Sequence, residues 1–349
     1  MNNLVTISIA SYNNAQYIER CLESVINQSH SNLEILIVDD GSKDDTIDRI
    51  EKYKSDKRVK TIAKNNGGLS SVRQRGMDEA TGDYICFIDA DDYLMPTYVE
   101  ALLNKIMIDQ SDICVCSTRF EDQNGKYDII SSNNFRCKNS IKPIILSPVK
   151  VSDINDCHVA EMHLSDSWNK MYNISAIRKT GVKFKMNKGL NGTDMLFNTQ
   201  LALHSLSYST ISDECYIHVM YSHSAVHRKN RDLNQTFKIV VKGILDETKI
   251  LSPTVNMIEA MSIRWYLWQE TILRDVYDSS PCYNFGVFPM FRKIKIDQKA
   301  FLKQYNLLEC NPNIARTSSE KFFLFLYKHF FYMIPLYFLF KDIIFFVRK

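Results

Sequence analysis

Two rhythms alternate along the first third of the chain. Short apolar runs at Leu4 to Ala10, Leu33 to Val38, Val59 to Ala63, Tyr84 to Ile88 and Asp112 to Ser117 have the length and composition of buried strands. Between them apolar residues recur at helical spacing. Ile18, Cys21, Leu22, Val25 and Ile26 predict one helix, with Asn13 or Asn14 near its cap. Asp44 and Asp45 open a second, their charges suiting its positive end. Leu69 to Ala80 and Met95 to Ile108 predict two more. This alternation implies a mostly parallel sheet with helices on both faces.

Ligands of such sheets bind outside the carboxyl ends of the strands. Four loops fall there: Ser11-Tyr12-Asn13, Asp39-Asp40, Asn66-Gly67-Gly68 and Asp89-Ala90-Asp91-Asp92. The acidic tetrad is the sharpest of them. Like charges this close repel unless a cation or protonation relieves them. A hard divalent ion, held by one or two carboxylates and by phosphate oxygens, would supply that relief. A metal-bound nucleotide is one reading; the other is a strand-to-helix turn in which Asp92 or Thr97 caps the helix after Pro96. Tyr12 suits stacking on a base and Asp40 accepting from a base or ribose, while Gly67 and Gly68 permit close backbone approach and Arg73 suits a phosphate. Packing, turn capping and a solvated helix face are the alternatives for these residues. No Gly-x-Gly-x-x-Gly or Walker loop occurs, which lowers dinucleotide and P-loop readings.

Composition narrows the classes further. The 349 residues are 45% hydrophobic and 24% charged, which is globular, and the net charge of +3 does not argue for nucleic acid. Nine scattered cysteines without a Cys-x-x-Cys pair indicate neither a zinc site nor a disulfide framework. Reduced thiols, and a start at Met1-Asn2-Asn3 without signal-peptide character, lead to an expected cytoplasmic location.

The motifs, taken in order, carry a resemblance. Ile9-Ala10-Ser11-Tyr12-Asn13, Ile37 to Thr46, Asn66 to Arg73 and Ala80 to Asp92 resemble four successive motifs of the family 2 glycosyltransferases, the last containing a DxD signature at Asp89-x-Asp91. The likeness is tight over residues 4 to 99 and thins after about residue 115. It implies a GT-A fold, a nucleoside-diphosphate sugar donor (UDP by family frequency), a Mn²⁺ or Mg²⁺ ion and inverting transfer. By position, the resemblance puts Ala10 and Tyr12 at the base pocket, Asp40 on the base, and Asn66 and Arg73 along the donor. Asp89 would contact the ribose or a metal-bound water, and Asp91 would ligate the metal. Ser11, Asn13, Gly67 and Ala90 belong to the same donor-binding loops.

The acceptor half is expected over residues 116–235. Asp122 to Gly125 predicts a hairpin turn. Trp168-Asn169-Lys170 resembles a segment that lies near donor and acceptor in bacterial family members, so Trp168 and Lys170 are candidate donor contacts. Inverting transfer needs a base for the acceptor hydroxyl. The family uses the aspartate of a Glu-Asp pair; here the pair reads Thr193-Asp194, which makes Asp194 the candidate base and leaves the glutamate's supporting role without an owner. Asp194 also suits a helix cap. His218, His223 and His227 follow, and His223 or His227 is a candidate for the metal shell, structural roles being the alternative.

Residues 236–349 predict a helical appendage, with helices over Ile239 to Ile250 and Val255 to Val276. It ends in an aromatic and basic tail, 321–349, whose apolar runs are too short to span a bilayer but suit its interface. The expectation is an enzyme on the inner face of the cell membrane, extending a lipid-linked glycan acceptor for surface polysaccharide. Two rivals are a nucleotidyltransferase and a non-catalytic sugar-nucleotide-binding or scaffold protein of the same fold.

Overall fold

The computed structural model describes residues 3–122, 127–128, 144–145, 166–185, 193–204, 206–221 and short helical pieces within 238–247. The chain divides into two compact units, Met1–His227 and Arg228–Lys349. The predicted helix over Val255 to Val276, the tail 321–349, His223 and His227 lie outside the described residues.

The first unit is built on one mixed sheet. Its strands are β1 (Val5–Ser11), β2 (Leu33–Asp39), β3 (Val59–Ala63), β4 (Tyr84–Asp89), β5 (Tyr93–Leu94), β6 (Ile113–Asp122), β7 (Tyr127–Asp128), β8 (Ile144–Ile145), β9 (Lys170–Asn173) and β10 (Ser207–Met220). The spatial order is β3-β2-β1-β4-β9-β6-β10-β5, with β7 beside β6 and β8 beside β10. β3, β2, β1 and β4 are mutually parallel, as the alternating pattern predicted. The pattern did not show β9, which runs antiparallel between β4 and β6 and closes the gap between the two halves. β6 and β10 return to parallel pairing, and β7 folds back antiparallel on β6 with Phe120 opposite Asp128, a hairpin where the sequence predicted one.

The helices are α1 (Ile18–Ile26), α2 (Thr46–Glu51), α3 (Leu69–Glu79), α4 (Tyr98–Asp109), α5 (Ile174–Thr180) and α6 (Thr193–Leu203). α1 buries the stripe Ile18, Cys21, Leu22 and Val25 against the sheet, which is the spacing that predicted it. Its start differs from expectation: Tyr17 occupies the cap position, and its side chain makes no capping bond. Asn13 instead takes a left-handed φ of 53° and accepts from Lys43 N–H, while Asn14 turns its side chain back to Tyr12 N–H. α4 likewise begins after Thr97 with no side-chain cap. β1, β2 and β4 are buried on both faces, which is why they read as nearly continuous apolar runs.

α3 seats unusually deep. A Cβ on Gly76 would lie 2.9 Å from Ser8 Cβ of β1 and collide with its hydroxyl, so only glycine lets the helix backbone rest on the strand. One turn toward the helix start, on the same face, lies Arg73. The close approach therefore sets the depth at which that guanidinium enters the protein. We expect Gly76→Ala to lower stability by about 1–3 kcal/mol through overpacking. Ser8→Gly on the same chain should recover part of the loss, as read by chemical denaturation.

Candidate functional site

The carboxyl ends of β1, β2 and β4 are in register, with Ala10 opposite both Val38 and Asp89, and Ser11 opposite Asp39. Main-chain bonds sew the loops beyond them together. Asp40 N–H donates to Ser11 O at 2.9 Å and Ala90 N–H to Ala10 O at 3.1 Å. The four loops singled out by sequence are thus brought to one edge.

The loops differ in how much they leave free. Asp39 caps its own turn, accepting from Gly41 N–H at 3.0 Å and Ser42 N–H at 2.9 Å. Asp40 accepts from Gly67 N–H and Gly68 N–H, each at 2.8 Å, and from Lys64 Nζ at 2.5 Å. It therefore shapes the Asn66–Gly68 loop, in which Gly68 has a φ of 86° that favours glycine. A carboxylate has about four acceptor positions, so these three bonds leave about one. Tyr12 is exposed at 44%, and among the described residues the buried Ser11 hydroxyl has no hydrogen-bond partner.

The centre of the edge is Arg73. It is 2% exposed, and its guanidinium forks between two acids: Nη2 donates to Asp89 Oδ1 at 2.8 Å and Nη1 to Asp194 Oδ2. A second tie runs beside it, Ser70 Oγ to Thr193 Oγ1 at 2.5 Å. Helix α6 is thereby pinned to α3 at its first two residues. Thr193, which stands where the resemblance leads one to expect glutamate, serves as an anchor. Asp194 Oδ2 also accepts from Ser167 N–H at 3.2 Å, and among the described residues the buried Oδ1 has no hydrogen-bond partner. Burial raises the proton affinity of Asp194, against the opposing charge of Arg73.

The tetrad divides its charges. Asp89 goes to Arg73, and Ala90 is buried beneath the turn. Asp92 does not cap a helix. It is fully buried and accepts from Tyr216 OH at 2.6 Å, His218 Nδ1 at 3.0 Å and Val219 N–H at 2.9 Å, all on β10. Asp91 is the acid these pairs pass over. Burial first, then repulsion from Asp92 and Asp89, pushes its carboxyl up to about 7. Its main-chain carbonyl is held by Arg20 Nη2 at 2.7 Å, and that guanidinium also lies over the Tyr93 ring at 4.7 Å. Sequence reasoning missed Arg20 because a lone arginine on an amphipathic helix carries no motif.

The strap 166–169 crosses between the two halves. Trp168 stacks on Tyr216 at 5.0 Å and on His218 at 5.1 Å. Lys170, expected along the donor, is fully buried; its ammonium is taken by Asp166 O at 2.5 Å and Asn169 Oδ1 at 2.9 Å, so here it holds the strap. Burial pulls its pKa down to about 8. Among the described residues no group of three or more His, Cys, Asp or Glu is placed to hold a metal by itself.

The sequence profile of Glycosyl transferase family 2 matches residues 6–176. EpsH of Bacillus subtilis (strain 168), named as a glycosyltransferase, is 32% identical over 236 residues, 66% of this chain and 64% of that one. Residues 6–176 belong to glycosyl transferase family 2. A chondroitin synthase of Escherichia coli is 29% identical over 269 residues, 75% of this chain but 36% of that protein. The chain therefore spans less than two thirds of the length of either relative. S. aureus TarS 1-349, solved in complex with UDP-GlcNAc, superposes with a TM-score of 0.62 at 18% identity, covering 93% of this chain and 91% of that one, which shows the shared fold. The fold is of the GT-A type, and the described residues include no helix long and apolar enough to cross a membrane.

Two consequences are measurable. Replacing Arg73 with Met strands two half-buried carboxylates, and we expect a loss of about 3 kcal/mol in denaturant unfolding. The His218–Asp92 pair makes stability depend on pH. Burial alone would lower the imidazole, but the hydrogen bond and charge of Asp92 raise it to about 9. A folded pKa above the unfolded value of about 6.5 stabilises fully below that value and is lost as pH rises through 9. The stability gap between wild type and His218→Asn should therefore narrow between pH 6.5 and pH 9.5.

Proposed function

We propose that this glycosyltransferase transfers a sugar, with inversion and with a divalent metal, from a UDP-sugar to a hydroxyl of a glycan acceptor. The observation that carries the reading is the state of Asp194. Arg73 and Ser167 N–H hold one carboxylate oxygen, and the other is buried with no hydrogen-bond partner among the described residues. That arrangement suits a general base whose free oxygen takes the acceptor proton while the carboxylate itself cannot rotate. As the hydroxyl oxygen attacks the anomeric carbon, the nucleoside diphosphate leaves from the opposite face, and the new bond has inverted stereochemistry.

The donor side is read from the loops. Tyr12 and the remaining acceptor position of Asp40 suit the base, and the Asn66–Gly68 backbone suits close approach along the donor. Asp91 fits a metal ligand: it is the half-buried acid of the tetrad that has no ion-pair partner among the described residues, and one carboxylate together with diphosphate oxygens is an ordinary Mg²⁺ or Mn²⁺ environment. When bound, such an ion neutralises charge that develops on the departing diphosphate. Asp89 would meet it through water, while Arg73 keeps that carboxylate in place. Arg20 fixes the main chain at Asp91, so the ligand is aimed before anything binds.

UDP as the nucleotide is supported by the likeness of fold to TarS, which was solved with UDP-GlcNAc. Surface-polysaccharide synthesis is supported by relatives such as the chondroitin synthase. The aromatic and basic sequence of 321–349 supports a peripheral site on the inner membrane face and a lipid-linked acceptor.

With a panel of UDP-sugars and Mn²⁺, UDP release should fall to background in Asp91→Ala. Asp194→Asn should lower transfer to acceptor by about 10²–10⁴-fold while changing the donor KM little. UDP release indifferent to both Mn²⁺ and Asp91→Ala would sink the metal assignment. Full transfer by Asp194→Asn would sink the base.

A further inference from the structure

Lys64 follows the last residue of β3, and its N–H continues the ladder to Asp39 O at 3.0 Å. The reaction above gives its side chain no part. An ammonium has three N–H donors, and here each is taken. One goes to Asp40 Oδ1 at 2.5 Å, one to Asn65 O at 2.7 Å and one to Ser71 Oγ at 2.9 Å. Ser71 in turn donates to Gly68 O at 2.8 Å. The side chain therefore ties the end of β3, the Asn66–Gly68 loop and the first turn of α3 to the acid that follows β2. Gly67 shows how close this packing is: a Cβ there would lie 2.5 Å from Ser71 Oγ and 3.0 Å from Lys64 Nζ. The ion pair is largely withdrawn from water, with 22% of the Lys64 side chain and 4% of the Asp40 side chain exposed.

The effect on Asp40 is to fix which oxygen is free. Oδ1 takes Lys64 Nζ and Gly67 N–H, which fills both of its lone pairs, and Oδ2 takes Gly68 N–H. Among the described residues the remaining acceptor position is thus on Oδ2. Of the three donors only Lys64 is charged, and charge-assisted hydrogen bonds are roughly twice as strong as neutral ones. A carboxylate held in this way offers one acceptor in one direction, which discriminates between pyrimidines. Uracil presents an imide N–H at N3. Cytosine presents a bare acceptor nitrogen there, with its amino group one position away. A carboxylate free to turn can move to that amino group, from which acids also accept. One gripped by an ammonium and two main-chain N–H groups cannot follow.

We propose that Lys64 is the positioning residue for selection of the nucleotide base: by holding Asp40 Oδ1 it keeps Oδ2 aimed at an imide N–H, and so makes the site prefer uridine over cytidine diphosphates. This inference rests on the reading of Asp40 as the contact to the donor's base. Lys64 acts through Asp40 and not on the nucleotide, since all three of its donors are spent on the protein. Its role is separate from that of the groups that meet the diphosphate, which is the same in both nucleotides.

The test is calorimetry of the full chain with UDP and with CDP, each with Mn²⁺ in the same buffer. The two ligands share ribose, diphosphate and metal, so the ratio of their affinities reads the base alone. We expect wild type to bind UDP about a hundredfold more tightly than CDP. Lys64→Met should cut that ratio about tenfold, the worth of one charge-assisted hydrogen bond, by weakening UDP while CDP stays within about twofold. Lys64→Arg, which keeps a charged donor, should hold a larger ratio than Lys64→Met. A lysine that only stiffened the loop would weaken both nucleotides alike. An unchanged ratio in Lys64→Met therefore overturns the proposal while leaving UDP binding, and with it the donor reading, intact. Should Lys64→Met fail to fold by circular dichroism, the uncharged Lys64→Gln carries the same measurement, and an unchanged ratio there overturns the proposal equally. Wild type that binds UDP and CDP alike overturns the role of Asp40 and this inference with it. Wild type that binds neither overturns the donor reading itself.

Discussion

A buried guanidinium between two carboxylates is the constraint on which the site depends. Arg73 is almost wholly removed from water, and an arginine there is tolerable only because Asp89 and Asp194 both reach it. The same contact relieves the acids, which would otherwise repel each other in a poorly solvated place. Three elements far apart in sequence are thereby locked together: the start of α3, the end of β4 and the start of α6. Its depth follows from a packing detail elsewhere, the resting of Gly76 on Ser8. The site is thus a property of the sheet and its covering helices, and not of any one loop.

The acidic tetrad shows how neighbouring like charges are made compatible. Asp89 is neutralised by Arg73, and Asp92 by β10, through a tyrosine hydroxyl, an imidazole and a backbone N–H. Asp91 has no such partner among the described residues, and burial and its neighbours raise its proton affinity. Two acids of the same stretch thus build the frame, and one keeps its chemistry available. The strap 166–169 repeats this division: Lys170 is spent on internal bonds, Ser167 steadies Asp194, and Trp168 remains half-open over His218.

Sequence periodicity by itself determined the parallel half of the sheet. Strands buried on both faces must be apolar throughout, and the helices that cover them must carry one apolar stripe, so both patterns survive in the linear order of residues. The four ligand-side loops were legible for the same reason, since a loop that follows a buried strand must lie at its carboxyl end. Asp194 was legible only through resemblance to a family motif, because a lone aspartate before a helix has no local signature beyond capping.

Tertiary structure decided the rest. β9 is four residues long and inserts antiparallel between strands that precede it by dozens of residues; nothing local distinguishes such a segment from a helix start. The partners of Asp92 lie more than 120 residues away, so its local reading as a cap was the natural one and the fold overruled it. Arg73 read as a phosphate contact one turn into a helix. Only the assembled sheet, which places Asp89 and Asp194 on either side of it 16 and 121 residues away, makes it the internal counter-charge of the site. Hydrophobic pattern is stored locally, residue by residue. Charge pairing is not, because its energy depends on distances that exist only after folding.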